Sequence, residues 1–377
     1  MERPRLVHFI TILQHGGAER VLFHLLDDLK EQFEQSVIYI YAGPGVAEVA
    51  TRNIPHYHIG SIGGIINPLT WYRLIRVLQG LKPHLLHTML WSAQIMGLLC
   101  AQLLRSHAIT SVHLSAECTG KIRTFLERLL PYRYTRIITT AHSIEQSLIS
   151  HKLYHPTQIF TIQNGLDEHD FRIRAANKIP SLSFGKQQYY IIGTVGRLVP
   201  VKNQHLLIIA FAQIQHLFPH TRLMIVGSGP EEDKLRILAH KQGVHEQVIF
   251  ITGQDAAPYY RYFDCFVLPS AREGGMSYAL LEALASHLCP IVTGTLPNHL
   301  HELITDGYNG IVIPPNNVSA LYNALYTVIT DHKLITRYKA AGKTTIAQQS
   351  SHKMVQRYGT LFRSIIEQPI IKDGSPS

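Results

Sequence analysis

The chain is short of cysteine, of charge and of long apolar runs. Its 377 residues hold four cysteines, Cys100, Cys118, Cys265 and Cys289, and no Cys-x-x-Cys pair. That excludes a disulfide-framed secreted fold and predicts reduced, mostly buried thiols in a cytoplasmic protein. There is no His-Glu-x-x-His, no Asp-x-Asp and no Cys/His cluster, so the expectation is that no metal is bound. Between Lys82 and Arg105 no charged residue occurs, yet Pro83, His84, His87, Ser92, Gln94 and Gln102 interrupt the stretch. It lacks the roughly 20 continuous apolar residues of a membrane span. A strand over 85–90 and a buried helix are expected there. The start, with Arg3, Arg5 and apolar 6–13, resembles a signal peptide only in outline. Gln14-His15-Gly16-Gly17 stands where a small-residue cleavage site would be, so a first buried strand is expected. No solenoid repeat, low-complexity segment or nucleic-acid motif appears.

What is present is an ordinary apolar share of 46%, 16% charged residues and a formal net charge of +9. Such a chain buries cores of normal size, and its length favours two domains. The basic excess is spread over both halves. It implies phosphorylated or membrane-surface partners and no nucleic acid.

Strand and helix signals alternate in two blocks. In the first, strands are predicted at 6–13, 36–41, 56–59, 85–90, 110–114, 136–140 and 158–163, with a helix over 18–29. Continuous apolar strands of this kind suit a parallel sheet covered on both faces. Residues 172–188 lack periodicity and contain Pro180 and Gly185, so they are expected as a linker. The second block predicts strands at 189–195, 222–226, 248–252, 265–268, 290–293 and 310–313. Helices are expected over 203–217, up to about 241 and after Gly275. The fold class is therefore α/β, with two doubly wound Rossmann-like domains facing across a cleft. The expected limits are 1–175 and 187–350, with 351–377 as a helix that packs back on the first domain and a short tail.

The densest chemistry lies in Pro269-Ser270-Ala271-Arg272-Glu273-Gly274-Gly275-Met276, which leaves an apolar strand and runs into a helix carrying Glu282. Two glycines let a backbone approach a ligand, and free N–H groups at a helix start attract anions. Upstream, Gly196-Arg197 and Lys202 supply two cations after another strand. Fixed cations stabilise a diphosphate leaving group most as its bond breaks. The bland alternative for Arg197 and Lys202 is two solvated surface charges. Glu282 could accept ribose hydroxyls, and Glu273 would lie near a sugar; ordinary helix glutamates are the competitor. Gly16-Gly17-Ala18-Glu19-Arg20 follows the first strand, either as an anion-binding turn or as a plain strand-to-helix connection. Gly227-Ser228-Gly229 begins like a dinucleotide fingerprint, but residue 232 is Glu, which argues against a nicotinamide enzyme. His113 and His87 lie on first-block strands and could orient hydroxyls. The segment from Lys121 to Arg136, basic with interleaved Phe, Leu and Tyr, suits either an anionic membrane surface or an ordinary surface helix.

Taken together these pieces, with Asn164-Gly165-Leu166-Asp167, resemble the retaining glycosyltransferase family 4 of the GT-B fold over nearly the whole chain. The resemblance implies a metal-independent transferase with no cofactor, the nucleotide-diphosphate sugar being substrate. It implies a front-face, configuration-retaining reaction in which the leaving phosphate helps deprotonate a hydroxyl acceptor, a glycan or lipid-linked sugar of polysaccharide biosynthesis. Arg197 and Lys202 would hold the diphosphate, Glu282 the ribose, Glu273 the transferred sugar, and Gly16 and Gly17 the phosphate region. His113 would lie near the sugar. Gly196, Gly227, Gly274, Gly275 and Met276 complete the expected donor site. The family sets its two carboxylates one residue closer than Glu273 and Glu282 stand here. The Gly274-Gly275 loop is expected to absorb the extra residue. The setting expected is cytoplasmic, peripheral on the inner face of a membrane. A non-catalytic sugar-nucleotide-binding protein, and a nucleotide-sugar epimerase or hydrolase on the same fold, stay open as alternatives.

Overall fold

The structure, a computed structural model, describes residues 2–113, 136–179, 188–271, 273, 276–294 and 302–368. The chain divides into two compact units, residues 1–164 with 351–377, and residues 165–350.

The first unit is a seven-stranded parallel sheet. Its strands are β1 (Arg5–Ile12), β2 (Glu34–Tyr41), β3 (His56–His58), β4 (Leu85–Met89), β5 (His107–Val112), β6 (Arg136–Thr139) and β7 (Ile159–Thr161), in spatial order 3-2-1-4-5-6-7. Every neighbouring pair is parallel. Helices α1 (Gly17–Asp28), α2 (Gly45–Thr51), α3 (Pro68–Leu81), α4 (Trp91–Leu104) and α5 (His142–Ser150) connect them. The apolar stretch after Lys82 is thus β4 and then α4, which buries Ala93, Met96, Gly97 and Cys100.

The second unit repeats the theme with α6 (Glu168–Ala175), β8 (Tyr190–Val195), α7 (Gln204–Leu217), β9 (Thr221–Val226), α8 (Glu232–Lys241), β10 (Val248–Ile251), β11 (Cys265–Leu268), α9 (Tyr278–Ala285), β12 (Cys289–Thr293), β13 (Ile311–Ile313), α10 (Val318–Thr330) and α11 (His332–Ile346). Its six parallel strands run 10-9-8-11-12-13. Phe211, Leu223, Val267 and Ile291 lie in the core of this unit.

Two boundaries differ from expectation. The first domain was expected to extend to 175 and the linker to begin at 172, but α6 closes at Ala175 and belongs to the second unit. The cause is packing: Phe171 meets Tyr260 edge-on, with ring centroids 5.8 Å apart. Asp167 caps this helix by accepting from the Asp170 N–H at 2.9 Å. The last helix, α12 (Ser351–Ile366), groups with the first unit, where Phe362 packs on Phe33 and His87.

In both sheets the strand order reverses beside the first strand of the unit. The reversal falls between β1 and β4 in the first unit and between β8 and β11 in the second. Loops leaving two such strands run in opposite directions and open a crevice at their carboxyl ends, where α/β sheets bind ligands.

Candidate active site

In the second unit the two loops at the switch point are the ones that carry the expected cations and carboxylate. β8 ends at Val195. Gly196 follows with φ +157, then Arg197, and a 3-10 turn over Pro200–Lys202. Asn203, left-handed at φ +53, starts α7. The loop after β11 is tied to this turn through the Ala271 N–H, which donates to the Val201 carbonyl at 2.9 Å. That register brings Lys202 Nζ to 2.5 Å from Glu273 Oε1, with both side chains largely buried. The extra residue before α9 therefore leaves Glu273 within reach of Lys202. Arg197 is exposed, and its side chain forms no hydrogen bond or ion pair among the described residues. Met276 is buried; Gly274 and Gly275 lie outside the described residues.

Gly227 was expected among the residues of the donor site. Its observed role is loop packing. A Cβ there would fall 2.0 Å from the Gly196 carbonyl oxygen, and one on Gly229 would fall 2.3 Å from that of Leu198. The two loops are laced by Gly196 N–H to Val226 O at 3.0 Å, Leu198 N–H to Ser228 O at 2.9 Å and Glu231 N–H to Leu198 O at 3.0 Å. The loop after β9 thereby fixes the path that carries Arg197 and Lys202.

Glu282 sits inside α9 with 1% of its surface exposed. Its Oε2 lies 3.0 Å from the Tyr260 hydroxyl, and its Oε1 lies 3.4 Å from Arg174 Nη2. Arg174 also donates through Nε to Asp170 at 2.8 Å and through Nη1 to Asp255 at 2.9 Å. Burial opposes the charge of this guanidinium, but the Asp170 hydrogen bond and the Asp255 and Glu282 carboxylates outweigh it and push its pKa up. Sequence reasoning missed Arg174 and Tyr260. The acidic Asp167, Glu168 and Asp170 at one end of α6 and Arg172 and Arg174 at the other were the available signal, since they match a helix dipole.

The first unit presents its own switch-point groups. Gly16 caps α1 in extended conformation, and Gly17 is the first helical residue. A Cβ on Gly16 would lie 2.5 Å from Glu19 Oε2. Glu19 is buried and its Oε1 accepts the Gln14 N–H at 3.2 Å. The anion at the start of α1 is thus the helix's own side chain. His113 follows β5. Its Nε2 is buried without a hydrogen-bond partner among the described residues, and burial pushes its pKa down to about 4. It is a neutral imidazole at neutral pH.

His87, expected as a hydroxyl-orienting group, is instead wholly buried with both nitrogens engaged. His8 Nδ1 and His87 Nδ1 lie 3.0 Å apart, His8 Nε2 is 3.0 Å from Gln35 Oε1, and His87 Nε2 is 2.7 Å from Ser111 Oγ. The tautomers follow by elimination. Gln35 Nε2 donates to Leu26 O at 3.1 Å, so Gln35 Oε1 accepts. His8 then carries its proton on Nε2 and accepts at Nδ1, and His87 donates from Nδ1 and accepts at Nε2 from Ser111. Tyr358 on α12 continues the chain, its hydroxyl 3.4 Å from Ser111 Oγ. Burial pushes the His8 pKa down to about 4; burial, then His8 and His113, push that of His87 well below its ordinary value.

Among the described residues no group of His, Cys, Asp and Glu could hold a metal ion, and no helix is long and apolar enough to cross a membrane. Cys100, Cys265 and Cys289 are free and buried, and burial pushes the Cys100 thiol up to about 11. Cys118 lies outside the described residues, as does nearly all of the basic segment from Lys121 to Arg136.

The chain matches two family models. The family described as Glycosyltransferase Family 4 matches residues 15–170, and Glycosyl transferases group 1 matches residues 178–345. The chain belongs to glycosyltransferase family 4. The GDP-mannose-dependent alpha-(1-6)-phosphatidylinositol monomannoside mannosyltransferase of Mycolicibacterium smegmatis is 30% identical over 162 residues, which are 41% of this chain and 42% of that protein. The lipopolysaccharide core biosynthesis glycosyltransferase LpsE of Rhizobium meliloti is 24% identical over 346 residues, 90% of this chain and 93% of its own. The match to the first of these relatives thus spans less than half its length. In fold, the chain resembles Anabaena Alr3699/HepE, solved in complex with UDP, with a TM-score of 0.81 at 18% identity over 96% of this chain and all of that one. The two parallel sheets are the pair of doubly wound domains expected from the alternating pattern, and the architecture is GT-B, as the family resemblance implied.

Proposed function

We propose that this family 4 protein moves a hexosyl group from a nucleotide-diphosphate sugar to a hydroxyl of a glycan or lipid-linked acceptor, with retention of anomeric configuration. The observation that carries the reading is the pairing of Lys202 with Glu273 at the second unit's switch point. A buried ammonium held by a carboxylate is a fixed cation, in place before charge develops on a leaving phosphate, which is where electrostatic catalysis acts. Exposed Arg197 on the same loop adds a second cation for the diphosphate. Glu282, oriented by Arg174 and Tyr260, is assigned to the ribose hydroxyls, and Glu273 to the transferred sugar. In the first unit, the Nε2 of neutral His113, without a partner among the described residues, is assigned to a sugar or acceptor hydroxyl. Gly16 and Gly17 are assigned to the phosphate region, where Glu19 must be accommodated. No cofactor is assigned. A lipid-linked acceptor is favoured by the mycobacterial relative, whose name specifies a phosphatidylinositol monomannoside.

The test pairs a thermal-shift screen of UDP, GDP and ADP with transfer assays from the matching donors. A nucleotide that binds and a sugar that appears on an acceptor support the proposal. Binding without transfer or donor hydrolysis across an acceptor panel would instead leave a sugar-nucleotide-binding protein. Free sugar or an epimer formed without acceptor would leave a hydrolase or epimerase.

A further inference from the structure

The first unit carries an apolar surface that nothing in the sugar-transfer reading uses. After β3 the chain runs through Ser61-Ile62-Gly63-Gly64-Ile65-Ile66 into α3. Ile62 is 96% exposed and Ile66 86%, and Leu69 and Tyr72 on the first turns of α3 are exposed beside them. Solvated isoleucines are ordinary singly, but a run of four large apolar residues on one loop and helix start marks an interaction site.

The loop is built to hold those side chains out. Gly63 and Gly64 are left-handed, with φ +91 and +54, and a Cβ on Gly64 would strike the Tyr41 hydroxyl. Asn67 caps α3 by accepting the Leu69 N–H at 2.9 Å and donates back to the Ile62 carbonyl at 2.7 Å. Trp71 Nε1 donates to the Ile65 carbonyl at 2.7 Å, and Ser61 and Thr70 share a hydrogen bond of 2.6 Å. Ile65 and Trp71 pack on the core while Ile62 and Ile66 point away from it.

The charge carried by this segment has one sign. From residue 49 to residue 116 the chain contains no Asp or Glu and five cations, Arg52, Arg73, Arg76, Lys82 and Arg105; of these Arg52 is paired with Asp27 and Glu48. Arg73 and Arg76 are exposed on α3 itself, and Arg73 steadies the loop by donating to the Gly60 carbonyl at 2.8 Å. The 3-10 turn Gly64–Ile66 and α4, which pack against α3, contribute no acidic residue.

We infer that this loop and the start of α3 dock on a bilayer surface that exposes anionic headgroups. Ile62 and Ile66 enter the headgroup boundary, Tyr72 sits at the interface, and Arg73 and Arg76 face lipid phosphates. An apolar loop tip beside Arg73 and Arg76, which pair with no carboxylate among the described residues, matches a fluid anionic surface better than a protein partner, whose interface would pair those cations with carboxylates. The inference extends the acceptor side of the proposed function. Its test reads binding alone, so it can fail while sugar transfer stands, and the reverse.

Sedimentation of the full chain with vesicles of phosphatidylcholine, alone or mixed with phosphatidylglycerol, tests it. Binding is expected to the mixed vesicles only, weakening as salt is raised. Ile62→Asp with Ile66→Asp should lower the partition coefficient by about tenfold or more with an unchanged melting temperature, and Arg76→Gln should lower it by roughly threefold to fivefold with a shallower salt dependence. Ile62→Trp should shift its fluorescence to the blue on adding mixed vesicles. The inference is overturned by no binding at low salt, by equal binding to neutral vesicles, or by vesicle binding that leaves Trp at position 62 unshifted.

Discussion

The two units share a sheet topology and differ in how they bury polar atoms. In the first, the chain from Tyr358 through Ser111, His87 and His8 to Gln35 crosses the sheet with no net charge, each group donating once to the next. In the second, opposite charges are paired, largely buried Lys202 with Glu273, and partly exposed Arg174 with exposed Asp170 and Asp255 and buried Glu282. A neutral relay holds helix and sheet together without placing a field in the core. Paired charges keep a field ready where a substrate's charge changes. The contrast lies between these two networks: the first ties helix to sheet, and the second, under the proposed function, serves a site.

The comparison breaks most sharply at Lys202. Lys202→Ala removes one member of a largely buried pair, and turnover in a sugar-transfer assay should fall on the order of 10²-fold or more, about 3 kcal/mol in transition-state terms. Undiminished turnover would return Lys202 to a structural role. Acid is the matching probe of the first unit. The folded pKa of His8, about 4, and that of His87 are depressed, so the unfolded chain takes up protons first as pH falls below the ordinary imidazole value of 6.5. The stabilisation is complete above that value and is lost between it and about pH 4, each tenfold difference in proton affinity between the folded and unfolded chain being worth about 1.4 kcal/mol. Amide protection in β1 and β4, measured by hydrogen exchange, should drop over this window, and His8→Leu with His87→Leu should reduce the response to the part that buried His113 supplies. Arg174→Ala comes next. Breaking this partly exposed cluster should cost about 2 kcal/mol and weaken nucleotide binding. In a Glu282→Gln background the same change should cost binding nothing further; additive losses would mean that Arg174 does not act through Glu282. Arg197→Ala should leave stability within about 0.5 kcal/mol, since the side chain is exposed, while donor use falls.

Much of this was legible in the amino-acid order alone. All thirteen described strands fall on stretches expected to be strands, and the glycine pairs, Arg197, Lys202 and the two glutamates stand out by spacing. Three things were hidden for physical reasons. α6 is a polar helix whose apolar anchor is mainly Phe171, so no periodic stripe announces it. The His8–His87 contact is set by the register of β1 on β4, which pairs residues 79 positions apart. The role of Gly227 depends on the carbonyl of Gly196 in a neighbouring loop, which a fingerprint of glycines does not reveal.

The return of α12 to the unit in which the chain begins has a consequence for biogenesis. On the ribosome, residues 1–164 emerge first yet lack Tyr358 and Phe362, which complete the wall over His87 and Ser111. Residues 165–350 hold all of their own core before that helix is translated. The half made second can therefore mature first, and the half made before it must wait, incompletely sealed, for α12 to leave the exit tunnel.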